Sequence, residues 1–301
     1  MNSLTRFGRT FGAFQLTSYR TLARATIPTA RRCLATKAND DSTNKKEQQV
    51  DEWKPLRDPP TVLGLRDPPV ADRSSWLQRK TQKIKNFTDY EKAFAAHAAE
   101  RRHLVEEATK SYFADVHEMR KTQGKMYYAS NKLTSAEKAG YMPDYEGFNV
   151  SKDTVHTTDL LLGKVSLMTF VYAKFGEAHV NSFINPFLQK FGNTEGVQVV
   201  ELNVQENFLK QLLLRAFVPS IRRNLPDARK PNYVFLMKDI SRSRKMLDMT
   251  NQYIGYVFLV DENCKIRWTA HGNASAEEVA NMLAMTEYLN NKRIKAEKET
   301  Q

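Results

Sequence analysis

The sequence predicts an α/β fold: a mixed sheet flanked by helices, preceded by a disordered N-terminus and a long helical segment. Three observations carry this prediction. Apolar runs at 165–173, 197–204 and 232–237 alternate with helix-period segments at 179–191, 207–223 and 241–249. Strands alternating with helices imply parallel βαβ units. Residues 253–270 then read as an antiparallel hairpin. Last, Ser275-Ala276-Glu277-Glu278 is a capping box that opens a final helix over 275–289.

The hairpin organises the rest. Residues 253–260 are β-branched and aromatic without a charge, which marks a strand buried on both faces. Asp261-Glu262-Asn263 supplies the turn, because Asp and Asn bond their own backbone and tolerate left-handed geometry. Residues 265–270 alternate, with Ile266 and Trp268 on one face and Lys265, Arg267 and Thr269 on the other. That pattern predicts a half-buried partner strand. A buried strand, an edge-like strand and a closing helix are how a thioredoxin-like domain ends, so a thioredoxin-like sheet is expected over 140–290.

Within that domain, 165–173 reads as the central strand and 174–178 as the loop after it. The next helix turns Val180, Phe183, Phe187, Leu188 and Phe191 inward. The helix over 207–223 is expected to turn Phe208, Leu212, Leu213 and Phe217 inward. Residues 124–139 read as a connector, and 153–164 as a short strand or loop. The charged tail 291–301 is expected to fray.

The 301 residues carry a net charge of +12, with 41% hydrophobic and 27% charged residues, which suits one core diluted by polar segments. The charge is uneven. Arg6, Arg9, Arg20, Arg24, Arg31 and Arg32 precede residue 35 with no acid among them, and subtracting those six leaves +6. Residues 1–36 match a mitochondrial transit peptide, against the alternative of a basic, nucleic-acid-binding tail. Residues 37–75 are expected to be a disordered linker. It holds a two-copy repeat, Leu56-Arg57-Asp58-Pro59-Pro60 and Leu65-Arg66-Asp67-Pro68-Pro69, which reads as a stiff spacer rather than a docking motif. Residues 76–123 form a helical extension with a narrow apolar stripe. Its basic cluster Arg79, Lys80, Lys83 and Lys85 suits a solvated face, and His97, His103 and His117 suit surface or packing roles over a metal site. No apolar run reaches transmembrane length, so any membrane contact is expected to be peripheral.

Catalytic patterns are missing. The loop Ala173-Lys174-Phe175-Gly176-Glu177-Ala178-His179 holds no cysteine where a thioredoxin-like fold places its redox pair. No proline precedes the buried hairpin strand, where Tyr253-Ile254-Gly255-Tyr256 stands instead. Phosphate-loop, dinucleotide, zinc-protease and nucleophile-elbow motifs are also missing. Of two cysteines, Cys33 falls in the removable segment and Cys264 in a hairpin turn, so no disulfide framework is expected. No catalytic, cofactor or metal residue is assigned. The basic residues Arg222 and Arg223 are candidate partner contacts.

The segment Asn251-x-Tyr253-Ile254-Gly255-Tyr256-Val257-x-Leu259-Val260-Asp261, followed by Ile266-Arg267-Trp268, carries a family resemblance. So do Gly163-Lys164-Val165-Ser166-Leu167, Gly176-Glu177-Ala178-His179-Val180 and Asn203-x-x-Glu206-Asn207. Over 140–289 the chain resembles the fungal mitochondrial ATP synthase assembly factor ten family. The resemblance implies an imported, non-enzymatic chaperone on the matrix side of the inner membrane. Its implied client is the newly made channel subunit of the ATP synthase membrane sector, subunit a (subunit 6). No cofactor and no nucleic acid are implied. Asn251, Tyr253, Gly255, Tyr256, Arg267 and Trp268 are candidate partner-binding residues, and the tyrosines and Trp268 suit a core role too. Three rivals stand beside this reading, one of them a structural subunit of the finished enzyme. A thioredoxin-type thiol oxidoreductase would need a reactive Cys264, and an RNA- or ribosome-associated protein would use the basic segments.

Overall fold

The computed structural model describes residues 57–71, 73, 78, 101, 114–206 and 208–299. The expected presequence, the first part of the linker, His97, His103 and most of the helix over 76–123 lie outside the described residues. Of that helix, α1 (Ala114–Thr122) is described.

The strands are β1 (Glu146–Asn149), β2 (Thr154–His156), β3 (Val165–Val171), β4 (Val197–Val204), β5 (Tyr233–Leu236), β6 (Tyr256–Val260) and β7 (Ile266–His271). They form one sheet in the order β2-β1-β5-β4-β3-β6-β7. β3, β4 and β5 run parallel, and β6 and β7 close the sheet antiparallel. The helices are α2 (Thr157–Leu161), α3 (Lys174–Phe191), α4 (Phe208–Asn224), α5 (Ser241–Met246) and α6 (Ala276–Glu299). A β3-α3-β4 crossover joined to an antiparallel hairpin and a closing helix is the thioredoxin-like arrangement expected from the sequence.

The sheet buries both faces. On one, Leu167, Val199, Val257 and Leu259 meet Phe183 and Phe187 of α3 and Met282 of α6. On the other, Phe170, Val200, Leu202 and Phe258 meet Tyr145, Leu247, Met249 and the incoming Tyr127. Burying each such side chain stabilises the fold by roughly 1.5–3 kcal/mol before chain entropy is charged against it.

Several boundaries differ from expectation. α3 begins at Lys174, so the residues read as a loop are its first turn. β6 begins at Tyr256, because residues 251–255 fold into a tied loop: the Asn251 N–H donates to the Tyr256 hydroxyl (2.8 Å), which donates back to the Asn251 carbonyl (3.0 Å). The connector continues into a β1–β2 hairpin at the sheet edge, where β1 pairs with β5. The tail does not fray at Leu289, and α6 runs on to Glu299. Arg293 anchors it, donating to the Glu195 carbonyl (3.1 Å), to Asn290 and to Glu297 (2.6 Å). Gly196 has φ +74°, and a Cβ there would strike the Arg293 guanidinium.

β7 is buried throughout, Arg267 and Thr269 included. The cause is a strap formed by the chain before β1. The Thr134 N–H donates to the Arg267 carbonyl and the Ile266 N–H to the Gly140 carbonyl, both at 2.8 Å. Trp268 Nε1 donates to the Ser130 carbonyl (2.7 Å). Residues 57–71, expected to be a disordered spacer, continue this cover. Leu65 and Tyr141 exchange two backbone hydrogen bonds of 2.8 Å, and Arg57 pairs with Asp248 at 2.7 Å. A sheet edge that would otherwise template aggregation is thus closed by the chain itself.

Candidate functional site

The sequence-predicted contact residues separate by burial. Asn251, Tyr256, Arg267 and Trp268 are buried, the last at 3% exposure. Arg267 donates to Asp261 (3.1 Å) and to the Thr134 carbonyl (2.8 Å), so its charge is spent inside the domain. Gly255 is buried too: a Cβ there would meet the Gly176 carbonyl oxygen at 2.4 Å. Tyr253 is half-buried, and Arg222 and Arg223 are exposed at the end of α4. The structure therefore leaves Tyr253, Arg222 and Arg223 reachable from solvent and packs the other five into the domain.

At the start of α3, where a redox pair would stand, Gly176 and Gly255 pack backbone to backbone. His179 Nδ1 accepts the Gly255 N–H at 3.3 Å. Burial, and then the Lys125 charge, hold the His179 pKa below the ordinary histidine value. Cys264 is the one cysteine among the described residues. It is buried in the β6–β7 turn at φ +63°, and burial, helped by Asp261, pushes its thiol up to about 11. A thiol so placed is protonated near neutral pH and a poor nucleophile.

Beside this corner, His271 at the end of β7 is fully buried. Its Nε2 accepts the Met126 N–H at 2.7 Å, which requires a neutral ring with the proton on Nδ1. Burial first, then Lys125, Arg57 and His179, hold its pKa well below the ordinary value. Above about pH 6.5 the ring is neutral in both folded and unfolded chains and pH has no leverage. Below that, the unfolded chain binds a proton that the native state refuses. Stability is expected to fall with acid by up to about 1.4 kcal/mol per pH unit per histidine. Urea midpoints at pH 7.5, 6.5 and 5.5 measure this. His271→Gln, which keeps an acceptor for Met126, is expected to flatten the slope in part, since His179 acts in the same direction.

A cavity lies between α3 and α4, toward the carboxyl ends of β3 and β4, with a volume near 570 Å³. Open α/β sheets bind ligands at that end of their parallel strands. Register puts Thr169 of β3, Glu201 of β4 and Tyr233 of β5 side by side on the floor, with Val171 and Asn203 two residues on. Lys174, Glu177, Val180 and Asn181 line the α3 wall at helical spacing. Leu214, Phe217, Ile221 and Leu225 line the α4 wall. Phe217, expected to face inward, is 60% exposed at this wall. α4 rests on the sheet through Val218 against Phe235, which turns Phe217 out of the core.

The floor is polar and mostly satisfied. Arg229 forks onto Glu201 with bonds of 2.7 and 2.5 Å. Asn203 donates to the Tyr233 hydroxyl at 3.3 Å, and burial raises the Tyr233 pKa. Thr169 is the exception. It is 1% exposed and its hydroxyl has no partner. Sequence reasoning passed over this floor, although Glu201 and Asn203 alternate in a strand read as central, a pattern that apolar packing alone does not require.

The family model described as ATP10 protein matches residues 39–289. The chain is 31% identical to "Mitochondrial ATPase complex subunit ATP10" of Candida glabrata, over 57% of this chain and 65% of that protein. It is 30% identical to the protein of the same name from Eremothecium gossypii, over 58% of this chain and 66% of that protein. The chain thus spans just under two thirds of the length of these relatives. A solved thiol:disulfide interchange protein of the thioredoxin family from Chlorobium tepidum is similar at 14% identity and TM-score 0.36, over 52% of this chain and 99% of that one. The match that begins in the N-terminal segment and runs through the hairpin to the closing helix covers well over half of the 301 residues, and this chain belongs to the ATP10 protein family.

Proposed function

We propose that this protein is a non-enzymatic assembly factor for the mitochondrial ATPase complex, which holds newly made subunit a until its partners arrive. The observation that carries the reading is the family match over residues 39–289. The relatives' names tie them to the mitochondrial ATPase complex. Cys264 supports holding over thiol chemistry, because it is buried and its thiol is held protonated. The protein acts at the matrix face of the inner membrane as a peripheral protein, imported by a presequence within residues 1–36. In keeping with peripheral attachment, no helix among the described residues is long and apolar enough to cross a membrane.

Gradient sedimentation of solubilised mitochondria tests the reading. The expected result is that the chain migrates apart from the mature complex and can be crosslinked to newly made subunit a. Co-migration with the finished complex would make it a permanent subunit instead. Alkaline carbonate is expected to strip the chain from inner membranes. Cys264→Ser is expected to leave complex assembly unchanged, and native Cys264 is expected to resist a thiol reagent that modifies it in urea. Loss of assembly in Cys264→Ser chains that still fold would restore the oxidoreductase reading.

A further inference from the structure

We infer that the α3–α4 crevice is the grip: it takes an uncharged, apolar polypeptide segment of the client that presents one hydrogen-bonding side chain to Thr169. This rests on the holding function proposed above and names the chemistry of the segment held.

Four features of the crevice point to that occupant. Its charges cancel, with Lys174 and Arg229 facing Glu177 and Glu201. The inner two are already locked together, so a charged occupant would find no free counter-ion at the floor. Its α4 wall is mainly apolar, with Leu214, Ile221 and Leu225, and Phe217 stands 60% exposed at the rim, an aromatic surface that water covers poorly. Its volume, near 570 Å³, exceeds any single side chain and falls within the range of working binding sites. Finally, the Thr169 hydroxyl is buried at the bottom without a protein partner, a cost the fold carries for no structural return. A segment that is apolar but for one hydroxyl or amide satisfies all four. Its apolar side chains cover Phe217, Leu214 and Ile221, and its polar atom completes Thr169.

The inference predicts opposite signs for one substitution. In the free protein, Thr169→Val removes an orphaned hydroxyl at constant shape and is expected to raise Tm by about 2–6 °C. The same change is expected to weaken client capture about 3–10-fold. Phe217→Ser, at an exposed position, is expected to keep the fold and to reduce capture at least as much.

The test uses the full chain imported into mitochondria that synthesise radiolabelled proteins. A photo-crosslinking residue stands at position 217 or, separately, at position 288, where Tyr288 of α6 is 59% exposed and not part of the crevice. Labelled subunit a joined through 217 and not through 288, with less adduct in Thr169→Val, is the expected result. Adducts through 288 alone would overturn the crevice as the grip while leaving holding intact. No adduct at either position would overturn both. An undiminished adduct through 217 in Thr169→Val, or undiminished co-isolation of labelled subunit a with Phe217→Ser, would also overturn the inference. So would a lipid or other small molecule that co-purifies with the chain and is lost on Phe217→Ser.

Discussion

Glu278→Ala is expected to destabilise the protein by about 3–5 kcal/mol. Glu278 opens α6 yet is only 3% exposed, and three donors converge on its carboxylate. Lys125 Nζ donates to Oε2 at 2.5 Å, the Ser275 N–H donates to the same oxygen at 2.9 Å, and the Ala129 N–H donates to Oε1 at 2.8 Å. In return the Glu278 N–H donates to Ser275 Oγ at 3.2 Å, which completes the capping box. One carboxylate therefore caps α6 and ties the strap at Lys125 and Ala129 to the domain. Removing it strands the Lys125 ammonium among the His271 and Asn273 carbonyls, 2.9 and 3.0 Å away, without a counter-charge. Burial already lowers the Lys125 pKa against the pull of Glu278. Without that pull, Lys125 sheds its proton more readily. Urea denaturation checks the size, and a loss under about 1 kcal/mol would contradict it. A Lys125→Met, Glu278→Leu double substitution is expected to recover much of the loss, because it removes both charges together.

Trp268→Ala is expected to cost a similar amount, about 3–5 kcal/mol. The indole meets Phe183 edge to face, with centroids 6.1 Å apart, and Nε1 donates to the Ser130 carbonyl at 2.7 Å. Truncation opens a cavity between β7 and α3 and leaves that carbonyl unpaired. The physiological consequence should be low abundance, since a loss of this size consumes much of a domain's ordinary stability. Arg222→Ala and Arg223→Ala, at exposed positions, are expected to stay within about 0.5 kcal/mol of the parent. Chemical denaturation of the four purified chains separates a core role for Trp268 from a contact role. A Trp268→Ala chain of parental stability that fails to capture client would return the residue to the interface.

The sequence reveals most where the local pattern decides the structure. β4 occupies the residues its apolar run predicts, and the Ser275 capping box opens α6 as its residue types require. It reveals least where the deciding partner is remote. β1 and β2 span four and three residues and carry no readable period, and they exist because Phe148 meets Phe235 across the sheet. Arg267 alternates like a solvent-facing residue, but Thr134, more than 130 positions earlier, covers it. Arg293 extends α6 beyond the expected end by reaching the Glu195 carbonyl. The crevice floor escaped for the same reason. Thr169, Glu201 and Tyr233 belong to three strands, and only the parallel register of β3, β4 and β5 makes them neighbours.

The holding function proposed above, without sulfur chemistry, makes one demand above the others. Mitochondria whose only copy carries Cys264→Ser can be pulse-labelled during organelle protein synthesis, and the chain isolated after crosslinking at intervals. Labelled subunit a should accompany it during the pulse and leave it during the chase, as label enters the mature ATPase. A chain that never carries subunit a, or carries it only while Cys264 is intact, would contradict the account.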